Sequence, residues 1–301
     1  MDVWKSITWK KASEIPSLGQ DAKLFPNKIS TTDVKQGYLG DCYFLSVLSL
    51  LALRENRIKR LFVSQENRNY QIRILKDGNE ITIEVDDFFP CRGEQLAFAQ
   101  SANNSIWVQL LEKAWAKKFG CYFAVEGGTM KDAMFDLTSA PTITMETSDP
   151  KVWEELQEAL KNGYIAGAAS KSNKNKPEAE VIYEEESKGD NSKVTDDHAF
   201  AILDIFDTRD SKGRDVRLLK IRNPWGKFDQ KGDPDIKWEG NWAENSSLWT
   251  SNLKQTVSFG QEDGGVFFMD LEEFQKNFEN VSICQIRDNF ESTFRQINLR
   301  V

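Results

Sequence analysis

The sequence predicts an α+β protein of two lobes, a helical first lobe and a mainly antiparallel β second lobe. Residues 42–53 are apolar apart from two serines, which is typical of a helix buried on nearly every side. Residues 105–119 carry a second helical pattern. Later in the chain, residues 198–206 and 216–223 have the composition of two strands joined by a polar turn. We expect the functional site in the cleft between the lobes.

The composition is that of a folded, acidic protein. With 301 residues, 40% of them hydrophobic, the chain can form two modest domains or one large one. We place the boundary in residues 136–150, which are rich in Thr, Ser and Pro, so that the lobes span residues 1–138 and 139–301. The net charge of −8, without a basic stripe, disfavours nucleic-acid binding.

Several features indicate the cytosol. Residues 1–20 lack the apolar core of a signal peptide. The longest apolar run, residues 42–53, is too short to cross a bilayer, so we expect no transmembrane segment. The four cysteines are widely spaced and match no zinc pattern, and a nucleophilic thiol favours a reducing compartment. We therefore expect a cytosolic protein.

The first helix is expected to begin at Cys42 and to end near Arg54. Asp41 would cap it through its carboxylate, and Gly37 and Gly40 would allow a tight turn before it. The helix dipole and the free amides at this end favour the thiolate form of Cys42. Taken alone, a free cysteine beside an apolar run is more often a small buried residue than a nucleophile.

The first lobe contains two further predicted elements. Residues 70–75 and 80–85 alternate as strands around a turn at 76–79. A second helix would be capped by Ser105 and closed by Gly120. One face of this helix is assigned to the core: Trp107, Leu111, Ala114 and Trp115.

The second lobe is expected to begin with a helix at 151–162, which Gly163 ends. The polar run 171–197 is predicted to be a mobile loop where light proteolysis cuts first. Three elements follow near the end of the chain: a strand at 266–269, a short helix capped by Asp270, and a strand at 281–286.

The strand patterns at residues 198–206 and 216–223 predict a β-hairpin in which two polar residues, His198 and Asn223, lie opposite each other. If His198 faces Asn223 across the pair, two apolar pairs and one charge pair also form, as hairpins prefer. These are Phe200 with Ile221, Ile202 with Leu219, and Asp204 with Arg217.

The chain has one histidine, and the order Cys42, His198, Asn223 is that of the papain-like cysteine proteases. The wide separations are those expected when the partners meet only in the fold. Each residue alone also has a structural explanation, since a single histidine is often a core residue and Asn-Pro is a common turn.

Three short segments of the sequence carry a more specific resemblance. Residues 36–42 (Gln-Gly-Tyr-Leu-Gly-Asp-Cys), 197–200 (Asp-His-Ala-Phe) and 223–226 (Asn-Pro-Trp-Gly) resemble the catalytic blocks of the calpain family of cysteine proteases. Further similar segments are 9–15, 110–117 and the pair Trp238 and Trp242. The likeness runs along almost the whole chain and covers the protease core, which implies a papain-like fold.

The resemblance implies a role for each matching residue. Cys42 would be the nucleophile, His198 the general acid and base, and Asn223 the group that orients the imidazole. Gln36 would donate to the oxyanion beside the amide of Cys42. Trp225 would shield the histidine and asparagine and, without calcium, hold them away from the cysteine.

Two positions depart from the family pattern. Asp197 stands where the family usually has glycine before the histidine. Its carboxylate would narrow the substrate channel and favour cationic side chains, or else raise the pKa of His198. Tyr43 replaces a tryptophan and keeps the aromatic character.

The resemblance also implies calcium binding at one site in the first lobe. Asp33 and Glu112 match the carboxylate ligands of the family's first site, with carbonyls near Pro26 and Lys28. The alternative is that Asp33 lies in a turn and Glu112 in an exposed salt bridge. At the second site the family's ligands fall on residues of which two cannot ligate by side chain, so that site is expected to be weakened or lost: Lys237, Glu244, Asp263 or Gly264, and Val266.

The favoured function is a calcium-responsive intracellular endopeptidase that makes limited cuts in protein substrates. One alternative is acyl transfer of the kind that transglutaminases perform, although their triad normally has Asp where this chain has Asn223. The other is an inactive calpain-like scaffold. The intact triad argues against a scaffold, whereas Asp197 and the altered second calcium site argue for it.

Overall fold

The computed structural model describes residues 3–172, 194–226, 238–260 and 264–289. The α-helices in these ranges are α1 (Cys42–Leu51), α2 (Glu55–Lys59), α3 (Trp107–Phe119), α4 (Met130–Thr138), α5 (Val152–Lys161), α6 (Ser251–Thr256) and α7 (Leu271–Asn277). The strands are β1 (Ile7–Lys11), β2 (Val34–Lys35), β3 (Phe62–Glu66), β4 (Asn69–Lys76), β5 (Asn79–Asp86), β6 (Phe88–Arg92), β7 (Gln95–Leu96), β8 (Gln100–Ser101), β9 (Thr142–Glu146), β10 (Ile165–Ser170), β11 (Ala199–Arg209), β12 (Asp215–Arg222), β13 (Val266–Asp270) and β14 (Phe278–Cys284). Of the described helices, none is long and apolar enough to cross a membrane.

Helix α1 lies at the centre of the first lobe, as its apolar composition predicts. Its residues from Tyr43 to Leu51 are all buried, and Phe44 stacks on Trp115 of α3 with 4.8 Å between the ring centroids. The predicted cap is wrong, because the Asp41 carboxyl group makes no capping hydrogen bond. The Asp41 backbone carbonyl accepts from the first-turn amides instead.

Helix α3 confirms the predicted buried face and its end at Gly120, where φ is 107°. The predicted cap by Ser105 is wrong. The helix begins at Trp107 after Ile106, and the Ser105 hydroxyl donates to the carbonyl of Ala102 at 2.9 Å. The short polar residue therefore closes the turn before the helix rather than the helix itself.

The first lobe also contains small antiparallel sheets. The predicted hairpin is confirmed as β4 and β5, with a left-handed turn at Asp77 and Gly78. Strand β1 pairs with β6 and is an outer strand of its sheet. Its partner is far away in sequence, so no local hairpin signal marks it.

The second lobe is built on one six-stranded sheet in the order β13-β12-β11-β10-β14-β9, with every neighbouring pair antiparallel. Helices α5 and α7 pack against β10 and β12. The α+β class is thus confirmed. The outer strand β9 lies within residues 136–150, where the boundary between the lobes is expected, and the division between residues 138 and 139 stays a prediction.

The β11–β12 hairpin has a different register from the predicted one. Ala201 pairs with Arg222 and Ile202 with Ile221, two positions away from the expected partners. A bulge between Ile202 and Asp204 then shifts the register by one more residue. The pairs of opposite charge in the observed register are Asp204 with Lys220, Asp207 with Arg217, and Arg209 with Asp215. Before the bulge, the shift of two keeps the side chains on their predicted face, because the side-chain period of a strand is two.

The two lobes pack on each other through α1 and the large sheet. Helix α1 contacts β10 and β11, and the core around α1 includes Ile165, Ala199 and Ala201 from these strands. The N-terminus of α1 and the start of β11 consequently lie close together.

Candidate active site

Cys42 is the first residue of α1 and is half-buried. Its thiol lies against the backbone amide of Ala199 in β11. One helical turn later, the Ser46 hydroxyl donates to the carbonyl of Ala199 at 2.9 Å. These contacts place Cys42 beside the residue that directly follows His198.

The thiol of Cys42 is the neutral species in this arrangement. Burial raises its pKa to about 12, and the negative charge of Asp41 adds to the rise. The amides of Ala199, Tyr43 and Cys42 lower the pKa, as expected at a helix N-terminus, but burial outweighs them. Burial therefore opposes the thiolate that the helix end was expected to favour.

A buried pair of carboxyl groups lies behind the nucleophile. Burial raises the pKa of Asp41 to about 8, and burial followed by the nearby Asp41 charge raises the pKa of Glu112 well above its usual value. Glu112 also accepts from the amide of Ala99 at 2.9 Å. Because burial raises the pKa of both neighbouring carboxyl groups, at least one of them carries a proton near neutral pH.

His198 directly precedes β11 and meets Asn223, which directly follows β12. The ring Nε2 is 3.0 Å from the side-chain oxygen of Asn223, which also accepts from the amide of Trp225 at 3.0 Å. An amide oxygen only accepts, so Nε2 is the protonated ring nitrogen and Nδ1 carries the lone pair. The meeting of His198 and Asn223 is confirmed although the predicted strand register is wrong.

The surroundings of His198 keep the imidazole neutral. Burial lowers its pKa to about 4, against a rise from the hydrogen bond with Asn223. This is opposite to the rise that a charge on Asp197 would cause. The ring packs between Trp225 and Phe200, with centroid distances of 4.5 and 4.8 Å.

The backbone on either side of His198 is also fixed. The His198 amide donates to the hydroxyl of Ser170 at 2.9 Å, and the His198 carbonyl accepts from the amide of Ser170 at 2.9 Å. Asp197 is exposed and left-handed, with a φ of 51°. Glycine adopts this conformation most easily, which gives a physical reason for a glycine at this position in relatives.

Gln36 lies where the two lobes meet. Its backbone amide donates to the carbonyl of Pro224 at 3.0 Å, and its side-chain Nε2 donates to the carbonyl of Leu39 at 2.7 Å. An amide nitrogen has two hydrogens, so one remains for an oxyanion. The next residue, Gly37, has no room for a side chain, since a Cβ would lie 2.1 Å from the carbonyl oxygen of Phe98.

Asp33 and Glu112 each have other partners in this arrangement, and the calcium site that they were expected to form stays a prediction. The Asp33 carboxylate is buried and accepts from the amide of Ser30 at 2.9 Å, whereas Glu112 is engaged with Ala99 and Asp41. Within the described ranges, no group of three or more His, Cys, Asp or Glu side chains could hold a metal ion. Calcium prefers several oxygen ligands around one point.

Other sequence predictions fall partly outside the described residues. Lys237 and Asp263 of the second calcium site, and most of the predicted loop 171–197, lie there. Of the other second-site positions, Glu244 is exposed and Val266 begins β13.

Sequence reasoning missed three polar residues that organise the site. Ser170 holds the backbone of His198, Ser46 joins α1 to β11, and Arg222 crosses from β12 to the first lobe. A serine inside an apolar helix and an arginine inside a strand were the available signals, because a polar residue on a buried face needs a partner.

Comparisons with known proteins agree with the geometry. A sequence model described as the calpain family cysteine protease matches residues 2–285. The calpain-type cysteine protease DEK1 of Zea mays is 31% identical over 92% of this chain and 13% of its own length. Calpain clp-1 of Caenorhabditis elegans is 29% identical over 94% of this chain and 35% of its own. The calpain-2 catalytic subunit of Mus musculus is 28% identical over 94% of this chain and 39% of its own, so the chain spans less than two fifths of these relatives.

Proposed function

Because the chain belongs to the calpain family of cysteine proteases, we propose that it is an active cysteine endopeptidase that makes limited cuts in protein substrates. The observation that carries this proposal is the bond from His198 to Asn223 at 3.0 Å, with Cys42 held against the next residue of the same strand. A nucleophilic thiol works best in a reducing compartment, so we propose the cytosol as its location.

The proposed reaction begins from a neutral thiol and a neutral imidazole. As the sulfur of Cys42 attacks the substrate carbonyl carbon, His198 takes the thiol proton at Nδ1, and the carbonyl oxygen becomes an oxyanion. The amide of Cys42 and the remaining Nε2 hydrogen of Gln36 would stabilise that charge. His198 then gives its proton to the leaving amine, the carbon–nitrogen bond breaks, and a thioester remains.

Water completes the cycle. His198 accepts a proton from the water that attacks the thioester, and the carbon–sulfur bond breaks as Cys42 recovers its proton. Throughout, Asn223 holds Nε2–H and so keeps Nδ1 directed away from itself. Trp225 covers this bond with its ring, which keeps water away from it.

A neutral Cys42 thiol and a neutral His198 imidazole predict how hydrolysis and alkylation depend on pH. The base must be neutral, and burial lowers the pKa of His198 to about 4, so kcat/KM should persist through the acidic range and fall only as the pH drops through about 4. Alkylation of Cys42 by iodoacetamide should be slow near neutral pH and should accelerate towards the thiol pKa of about 12. Rapid alkylation that is independent of pH across the neutral range would show a resting thiolate and contradict this account.

Calcium responsiveness is proposed from the family resemblance, and the arrangement of Glu112 counts against this residue as a ligand. Glu112→Gln keeps the shape of the side chain and an oxygen that can accept from the Ala99 amide, but it removes the charge that a cation needs. We expect the calcium concentration for half-maximal hydrolysis to be the same in this variant and in the wild type. Peptide hydrolysis in calcium buffers, with calorimetry of calcium binding, measures this. A strong upward shift would show that Glu112 leaves Asp41 to bind the ion.

A further inference from the structure

Arg222 is a buried cation that crosses between the lobes. It is the last residue of β12 and is 1% exposed. One guanidinium nitrogen donates to the Ser49 hydroxyl of α1 at 2.8 Å, and another donates to the carbonyl of Val34 in β2. The Ser49 hydroxyl in turn donates to the carbonyl of Leu45 within α1. The carboxylate of Asp33 is close enough to be stabilised by the Arg222 charge.

The residues that follow Arg222 reach the catalytic groups one after another. Asn223 holds the ring of His198 at 3.0 Å, and the carbonyl of Pro224 accepts from the Gln36 amide at 3.0 Å. Gln36 comes directly after β2, the strand whose Val34 carbonyl receives Arg222. The same short stretch therefore contacts the nucleophile helix, the base and the residue expected to serve the oxyanion.

The chemistry of arginine suits this position. The guanidinium group presents several donors in a rigid plane, so it can fix two acceptors on different elements at once. Helix α1 is stiff over its length, so holding Ser49 also holds the direction in which Cys42 points. Lysine could keep the charge but could not span both acceptors in the same fixed geometry.

We propose that Arg222 is a positioning residue, which holds α1 and β2 of the first lobe in register with the stretch that orients His198 and Gln36. The inference rests on the proposed protease function for its kinetic consequence. Its structural content, the fixing of Gln36 against Pro224, does not depend on catalysis. A displacement of about 1 Å among reacting groups is enough to cost about a hundredfold in rate.

A second buried arginine supplies a matched control. Arg57 of α2 is 2% exposed and also joins the lobes, donating to Asp288 and to the carbonyl of Gly163, each at 2.7 Å. It makes none of the described contacts with the stretch 222–224. Arg222→Met and Arg57→Met each remove a buried lobe-bridging cation, but only the first touches the catalytic stretch.

The test compares these variants with Arg222→Lys in kinetics, thermal unfolding and hydrogen exchange. We expect kcat of Arg222→Met to fall about tenfold to about a hundredfold with little change in KM, while Arg57→Met keeps its kcat. The Gln36 amide should exchange about tenfold faster or more in Arg222→Met than in Arg57→Met, because charge-assisted bonds are lost. Arg222→Lys should recover part of kcat, which a space-filling role would not give.

The outcomes separate the inference from the protease proposal. If the wild type hydrolyses no peptide, the proposed function fails, yet exchange at Gln36 still reports on Arg222. Equal losses of kcat in Arg222→Met and Arg57→Met would mean that Arg222 contributes only general stability. Unchanged exchange at Gln36 in Arg222→Met would also overturn the positioning role.

Discussion

Replacing Cys42 by serine is expected to abolish peptide hydrolysis, with a loss of at least about 10⁴-fold in kcat/KM, the scale seen when a catalytic nucleophile is removed. The serine hydroxyl has nearly the shape of the thiol, so α1 and its contacts with Ala199 should persist. A serine hydroxyl is a weaker acid and a weaker nucleophile than a thiol, so His198 would activate it poorly without the rest of a serine-type site. Hydrolysis of a fluorogenic peptide measures the loss.

The exposed Cys121 offers the cleanest control, because its replacement by serine disturbs no core. Cys121→Ser should keep wild-type kcat/KM. Cys91 and Cys284 are buried, so their serine variants should keep most of the activity and lose thermal stability instead. Full hydrolysis by Cys42→Ser would end the protease proposal, and an inactive wild type would favour the scaffold.

The parts of the fold that sequence could predict depend on local patterns. The burial of α1 follows from its apolar composition, and the β4–β5 hairpin follows from the turn at Asp77 and Gly78. The meeting of His198 and Asn223 could be predicted because both lie at the ends of strands joined by a short turn. The register of the strand pair could not be predicted, since the bulge after Ile202 does not show in the alternation of apolar and polar residues.

The features of the site that the sequence could not predict depend on contacts between segments far apart in the chain. The prediction of a thiolate at Cys42 rested on its place at a helix N-terminus. It did not include the burial of the thiol against the second lobe. Glu112 was assigned to calcium from the family resemblance, and its burial beside Asp41, a residue of another element, has no local signal in the sequence. Arg222 is a polar residue at the end of an apolar strand, which signals that it needs a partner, but the sequence does not show that the partners are Ser49 and Val34.

The role of Gly265 also depends on a contact between distant segments, because this glycine lies against the backbone of Asn223. The Asn223 amide donates to the carbonyl of Gly265 at 2.9 Å. Gly265 has a φ of +82°, and a Cβ there would lie 2.6 Å from the carbonyl oxygen of Asn223 and 2.8 Å from that of Gly226. Both contacts are with backbone atoms, which cannot move aside as a flexible side chain can.

Gly265→Ala is therefore expected to displace Asn223 and to lower kcat by about 10²- to about 10³-fold, since the imidazole would lose its orientation. Gly260→Ala is the matched control, because Gly260 has a similar φ of +73° and a Cβ there meets nothing within 4 Å. Both variants carry the backbone strain of alanine in the left-handed region, about 1–2 kcal/mol, so the difference in kcat between them isolates the contact with Asn223. Steady-state kinetics measures kcat, and thermal unfolding measures the loss of stability that the backbone strain causes. If the two variants lost kcat equally, strain alone would explain the effect, and Asn223 would not depend on the space that Gly265 leaves.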